Sequence, residues 1–243
     1  MEISPDEWVL WSWHGYGLTA TVVYTWLVMV ILVVGSWLLT RRLSDEGTPS
    51  RWQNAVEVVI AGVRDQIHEI SGQAPSRYLP FIGTLFLFIA TSNLLAVVPG
   101  FKPPTGSLST TTALALCVLV AVPTYGIIQR GVGGYLRGYV KPTPLMLPFN
   151  VLGEITRTIA LAIRLYGNIM SGTVIVAILL GLTPFLFPLV MQLLGLLTGM
   201  IQAYIFAVLA TVYIASASQS AEETAARAGG GPPSAPPAPP ETT

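Results

Sequence analysis

The sequence predicts an all-α integral membrane protein. It has five transmembrane helices and one surface amphipathic helix, and the last two spans form a long tilted hairpin. Three observations carry this prediction. Only 10% of the 243 residues are charged, whereas a soluble domain carries about 25%. Hydrophobic residues make up 52% of the chain, and the mean hydropathy is +0.65. Several uncharged runs approach or exceed the roughly 20 residues that a helix needs to cross a bilayer.

The elements follow in order. Residues 1–17 form an N-terminal segment, with Glu2, Asp6 and Glu7 near its start. A secretory signal starts basic, so the first apolar run is expected to stay in place as a span. That run, residues 18–40, carries no charge and ends at Arg41 and Arg42. Residues 51–72 differ: Glu57, Arg64, Asp65 and Glu69 alternate with Val56, Val59, Ile60, Val63, Ile67 and Ile70 at helical spacing. This pattern predicts an amphipathic helix on the membrane surface.

Residues 79–99 form the second span, closed by Pro99-Gly100, and residues 110–129 the third. A polar, glycine-rich loop is expected over 130–144. Residues 145–181 and 185–218 are two long apolar helices separated by Thr183-Pro184 and Pro188. At about 1.5 Å per residue the first of these reaches roughly 55 Å. A bilayer core is only about 30 Å thick, so tilt, bending or protrusion is required. Residues 219–243, rich in Pro from Gly229 onward, are expected to be a disordered cytoplasmic tail.

Basic residues set the orientation. With five spans and the N-terminus outside, Arg41, Arg42, Arg51, Arg64, Arg77, Arg130, Arg137, Lys141 and Arg227 fall on the cytoplasmic side. The outer loops receive only Lys102. Zero net charge and dispersed basic residues argue against a nucleic-acid partner. The two histidines, His14 and His68, are far apart, so no metal site is expected. No glycine loop for nucleotide phosphates is present, and no cofactor is expected. Cys117 sits in an apolar run and reads as a buried, inert thiol.

The fourth span carries charges that lipid does not tolerate. Each costs at least about 2.5–3.5 kcal/mol at mid-membrane. On a helix turning about 100° per residue, Glu154, Arg157, Arg164 and Asn168 fall within about 80° of arc. Such a stripe must face protein or water. Glu154 and Arg157, three residues apart, also suit an ion pair that only orders the bundle. Arg164 has no acidic residue within one helical turn, and Glu154, ten residues away, is the only carboxylate in any predicted span. Its partner is then expected from another chain or a transported ion.

Gln202 on the last helix needs hydrogen bonds if buried; interhelical glue is the plainer role. Gln192 could extend a polar path. Asn93, Ser107 and Thr110 lie near the outer face, where capping competes with lining of an aqueous route.

At Ala162-Ile163-Arg164-Leu165-Tyr166-Gly167-Asn168 the sequence resembles subunit a of F-type (rotary) ATP synthases. The resemblance extends to Pro148-Phe149-Asn150 with Glu154, to Ile201-Gln202-Ala203-Tyr204-Ile205-Phe206, and to Asn93-Leu94-Leu95 through Pro104-Thr105-Gly106. It covers roughly residues 15 to 220.

The resemblance implies a non-catalytic, ion-translocating stator subunit in a bacterial inner membrane. Its implied partners are a ring of c subunits, each with a mid-membrane carboxylate, the peripheral-stalk b subunits and the remaining subunits of the complex, in contact with membrane lipid. Arg164 would face the ring carboxylates and separate two half-channels. Gln202 would hydrogen-bond near Arg164. Many members carry an acidic residue nine positions after the arginine, where this chain has Thr173. Hydroxyls and amides are then the candidates to line a path for H⁺ or Na⁺. Two alternatives remain at this point: a self-contained secondary transporter and a non-conducting scaffold.

Overall fold

The computed structural model describes residues 9–13, 16–41, 51–71, 78–98, 100–140, 146–182 and 186–229. Two short strands, β1 (Val9–Trp13) and β2 (Tyr16–Thr19), pair antiparallel. Their tryptophan, valine, tyrosine and threonine residues favour extended backbone; the all-α expectation assigned no strand to this N-terminal segment. All other regular structure described is helical. It comprises α1 (Ala20–Arg41), α2 (Arg51–Ser71), α3 (Leu79–Leu95), α4 (Leu108–Val140), α5 (Met146–Leu182) and α6 (Leu186–Gly229), with a 3₁₀ turn η1 (Pro104–Gly106) between α3 and α4.

Four segments are long and apolar enough to cross a membrane: Ala20–Leu38, Leu108–Gln129, Leu147–Gly181 and Phe187–Ala217. The remaining expected span is α3, an apolar helix of 17 residues, at the short end of what a bilayer needs. It stops because a tight turn follows, in which Gly100 adopts φ 89°, a conformation open to glycine and costly for other residues. Tyr24 on α1 donates to the Gly100 carbonyl oxygen at 3.1 Å.

Three segments differ from expectation. The third span continues past Gln129 as helix, broken at Gly131 (φ 70°, ψ 161°), so most of the expected loop over 130–144 is helical. The segment after the break folds back, and Tyr135 packs so closely on Gly126 that a Cβ there would lie 2.6 Å from the tyrosine ring. On the last helix, α6 runs on to Gly229, eleven residues beyond the expected end of the span. The tail beyond it lies outside the described residues. Finally, Cys117 is exposed on α4 rather than buried, because the buried face of that helix is formed by Ala115, Val118, Ala121 and Val122.

The core lies where α3, α4, α5 and α6 meet, around Ile89, Val118, Leu161, Leu165 and Phe206. On α6 every fourth residue from Gly199 is small and buried: Gly199, Ala203, Ala207, Thr211 and Ala215. Hydrocarbon offers helices no hydrophobic drive to associate, so such small-residue ridges, which let backbones approach, hold the bundle. α1 packs mainly on α3 and exposes Trp26, Val33 and Trp37. α2 turns Ile67 inward and Glu57, Arg64, Asp65 and Glu69 outward, as its amphipathic pattern requires.

Candidate functional site

The site is built on the antiparallel hairpin of α5 and α6. Leu161, Ala162 and Leu165 are buried and face the bundle. Arg164 lies about 100° around the helix from the middle of that face, and its side chain is exposed on the surface of the chain. Arg164 is thus open to a partner outside the chain rather than enclosed by the chain's own helices. α5 buries a narrow apolar stripe and turns the Arg164 face outward.

Asn168 sits one turn along and half-buried, and its Nδ2 donates to the Thr198 carbonyl oxygen of α6 across a long 3.4 Å. In an antiparallel pair this contact fixes which residues are level. Four residues back from Asn168 is Arg164, and four residues on from Thr198 is Gln202. Both steps are about 6 Å along their helices, so Arg164 and Gln202 lie at the same height. Gln202 is only 6% exposed, and among the described residues its Nε2 has no acceptor, so the hydrogen bond expected of Gln202 near Arg164 is not made through this donor within the described residues.

Towards the other end of the α5 stripe, the Arg157 guanidinium lies over the Tyr213 ring, 5.4 Å from its centroid. A cation over an aromatic face is stabilised by the ring quadrupole. Glu154 and Arg157 line a cleft of about 400 Å³ with Asn150, Thr158, Tyr135, Tyr213 and Ser216. The polar stripe of α5 therefore opens at this end into a space large enough for several waters.

The polar residues of α3, η1 and the start of α4 are gathered beyond the Arg164 level. Asn93 is 2% exposed. Its Nδ2 donates to the Gly199 carbonyl oxygen at 2.7 Å, and its Oδ1 accepts from the Thr105 hydroxyl at 3.3 Å. The Ser107 hydroxyl bonds with that of Ser109 at 2.6 Å, and Ser107 also accepts from Thr111 through its carbonyl oxygen. Thr110 is half-buried in the first turn of α4.

Two residues stand apart from this group. Gln192 donates to the Ala96 and Val97 carbonyl oxygens at 3.1 and 3.3 Å, and so closes the end of α3. Thr173 is exposed and donates to the Ile169 carbonyl oxygen of its own helix; nine residues of rotation place it on the face opposite Arg164. Sequence reasoning gives Tyr213 and Gly199 no role, and only the small-residue spacing on α6 signals Gly199; Thr105 falls in the Pro104-Thr105-Gly106 motif, without a role assigned to it.

Residues 22–215 match the ATP synthase A chain family. The chain belongs to that family. It is 61% identical over 219 residues to "ATP synthase subunit a 2" of Acaryochloris marina, covering 90% of this chain and 94% of the relative. It is 58% identical over 220 residues to "ATP synthase subunit a" of Albidiferax ferrireducens, covering 90% and 95%. It is also 58% identical over 218 residues to "ATP synthase subunit a" of Nitrosospira multiformis, covering 90% and 87%. As an ATP synthase A chain it is a multi-pass membrane component of the synthase complex, and its Arg164 stripe lies inside the matched region.

Proposed function

We propose that the chain is the ion-translocating stator of the membrane sector, with Arg164 facing the carboxylates of a rotating c ring. The observation that carries this reading is the exposed Arg164, level with Gln202 on a hairpin of two long apolar helices. A guanidinium on a membrane-facing surface needs a counter-charge or water. An acidic residue passing on a partner supplies the counter-charge, and the opposing cation favours its ionised form. Each rotor carboxylate then releases its ion beside Arg164, and the fixed positive charge blocks direct leakage past it.

The cleft of Asn150, Glu154, Arg157 and Tyr213 is the cytoplasmic half-channel in this reading. The outer route passes near Asn168 and the hydroxyls that open α4, with Asn93, Gln192 and Thr173 as further candidates for its lining. Gln202, with its buried amide donor, hydrogen-bonds an acceptor brought to the Arg164 level. The subunit is non-catalytic. It works with the c ring, the peripheral-stalk b subunits and the remaining subunits in a bacterial inner membrane, with the N-terminus outside and the C-terminus in the cytoplasm.

The test is ATP-driven ion uptake into inverted vesicles carrying the whole complex with Arg164→Ala. The expected result is normal assembly with uptake lost. Normal uptake would sink the assignment of Arg164. The wild-type response to Na⁺ and to a protonophore identifies the coupling ion.

A further inference from the structure

We infer that Asn93 is a positioning residue: with Gly199 it sets the axial seat of α6, and through that seat the height of Gln202 against Arg164. The inference rests on the reading of Arg164 above. Asn93 is almost fully enclosed, and both ends of its amide are engaged by protein, Nδ2 on Gly199 and Oδ1 on Thr105. Its amide group is therefore committed to holding neighbouring segments together.

The contact with Gly199 is steric as well as polar. A Cβ at position 199 would lie 3.0 Å from Asn93 Cγ, 3.1 Å from Nδ2 and 3.2 Å from Cβ. Asn93 is short and enclosed, so it has little room to yield; α6 would have to shift. Gly199 is three residues before Gln202, within one helical turn.

The same level is pinned from the other side. Asn168 of α5 donates to the carbonyl oxygen of Thr198, the residue before Gly199. The turn that carries Thr105 also touches α5 beside Asn168, where a Cβ on Gly106 would meet Ile169 Cγ2 at 3.2 Å. Thus α3, η1, α5 and α6 converge at one node, about one turn outside the plane of Arg164 and Gln202. Small residues alone would hold these helices together without fixing one register. Buried polar groups that are satisfied in one register only can fix it. A slip of α6 by one residue would move Gln202 by about 1.5 Å and turn it by about 100°.

The experiment uses the complete ATP synthase in inverted vesicles. It measures ion uptake per ATP hydrolysed, together with the amount of assembled complex. Gly199→Ala is expected to lower uptake per ATP by roughly tenfold or more, since misplacement of a reacting group by ~1 Å carries costs of this order. The double variant Asn93→Ala/Gly199→Ala makes room for the new Cβ and is expected to recover the steric part of the loss, back to the smaller loss of Asn93→Ala alone.

Gly195→Ala, one turn earlier on α6, where among the described residues no other helix comes within 4 Å of the added Cβ, is expected to pump as wild type. If Gly199→Ala does not assemble, Asn93→Ala alone removes the donor without adding volume and must still lower uptake per ATP. Normal coupling in Gly199→Ala or Asn93→Ala, no recovery in the double variant, or equal damage from Gly195→Ala overturns the inference. Arg164→Ala in parallel separates the two claims: if it pumps normally the stator reading fails, whereas the inference about Asn93 fails through the glycine variants alone.

Discussion

Arg164 and Arg157 lie on one stripe of α5 but have different surroundings. Both side chains are exposed at the surface of the chain, but Arg157 carries its guanidinium over the Tyr213 ring. Membrane-embedded charge is expensive, so Arg157 is expected to contribute to holding α5 on α6. Tyr213→Leu should lower the stability of the subunit by about 0.5–2 kcal/mol, the worth of a cation–π contact. The change should appear as a lower thermal midpoint of the purified complex, with Tyr213→Phe close to wild type; equal loss in both variants would point to the hydroxyl instead. Gly126 presents a second single-residue test. Its missing Cβ leaves room for Tyr135, so Gly126→Ala should displace the tyrosine and reduce the amount of subunit assembled, whereas Gly126→Ala with Tyr135→Ala should restore it.

At the scale of elements, α6 is tied to its neighbours by polar contacts as well as by packing, and Asn168 of α5 donates to the Thr198 carbonyl oxygen. Gln192 closes the end of α3 from α6, and removing it leaves two carbonyl oxygens without that donor. Gln192→Leu should then destabilise the α3–α6 contact by about 0.5–1.5 kcal/mol, the net worth of a hydrogen bond whose acceptors are not fully buried, read as earlier thermal loss of complex. Normal stability would show that water replaces the amide. The break at Gly131 has its own consequence. A residue other than glycine at φ 70° is strained, so Gly131→Val should disturb the fold-back of the helix after the third span.

At the scale of the whole molecule, the distribution of basic residues supports one orientation, and labelling tests it. In a Cys117→Ser background, which removes the exposed native thiol, Lys102→Cys should react with a membrane-impermeant maleimide added to intact cells. Glu57→Cys, on the outward face of α2, should react only in inverted vesicles. The reverse pattern would invert the proposed topology and place the cleft of Glu154 and Arg157 on the outer side. The membrane also explains the unusual surface: α1 exposes Trp26 and Val33, which suits lipid or an apolar partner helix and would be a liability in water.

Much of this architecture was legible in the chain itself. Hydrophobic length and charge depletion mark the long apolar helices, because lipid imposes one requirement on every spanning segment. The alternating charges of residues 51–70 mark α2, and the motif around Arg164 with the Gln202 segment marks the family. Helical rotation alone placed Glu154, Arg157, Arg164 and Asn168 on one stripe. Other features needed the tertiary structure. The exposure of Arg164, the enclosure of Asn93 and the seating of Tyr135 on Gly126 depend on which helix packs where. The level pairing of Arg164 with Gln202 depends on where α6 sits along α5, through Asn168 and Thr198, residues thirty apart in the chain. Local patterning carries no information about such axial offsets. They depend on close packing of small residues and on contacts between distant parts of the chain, such as those of Asn93 with Gly199 and Asn168 with Thr198.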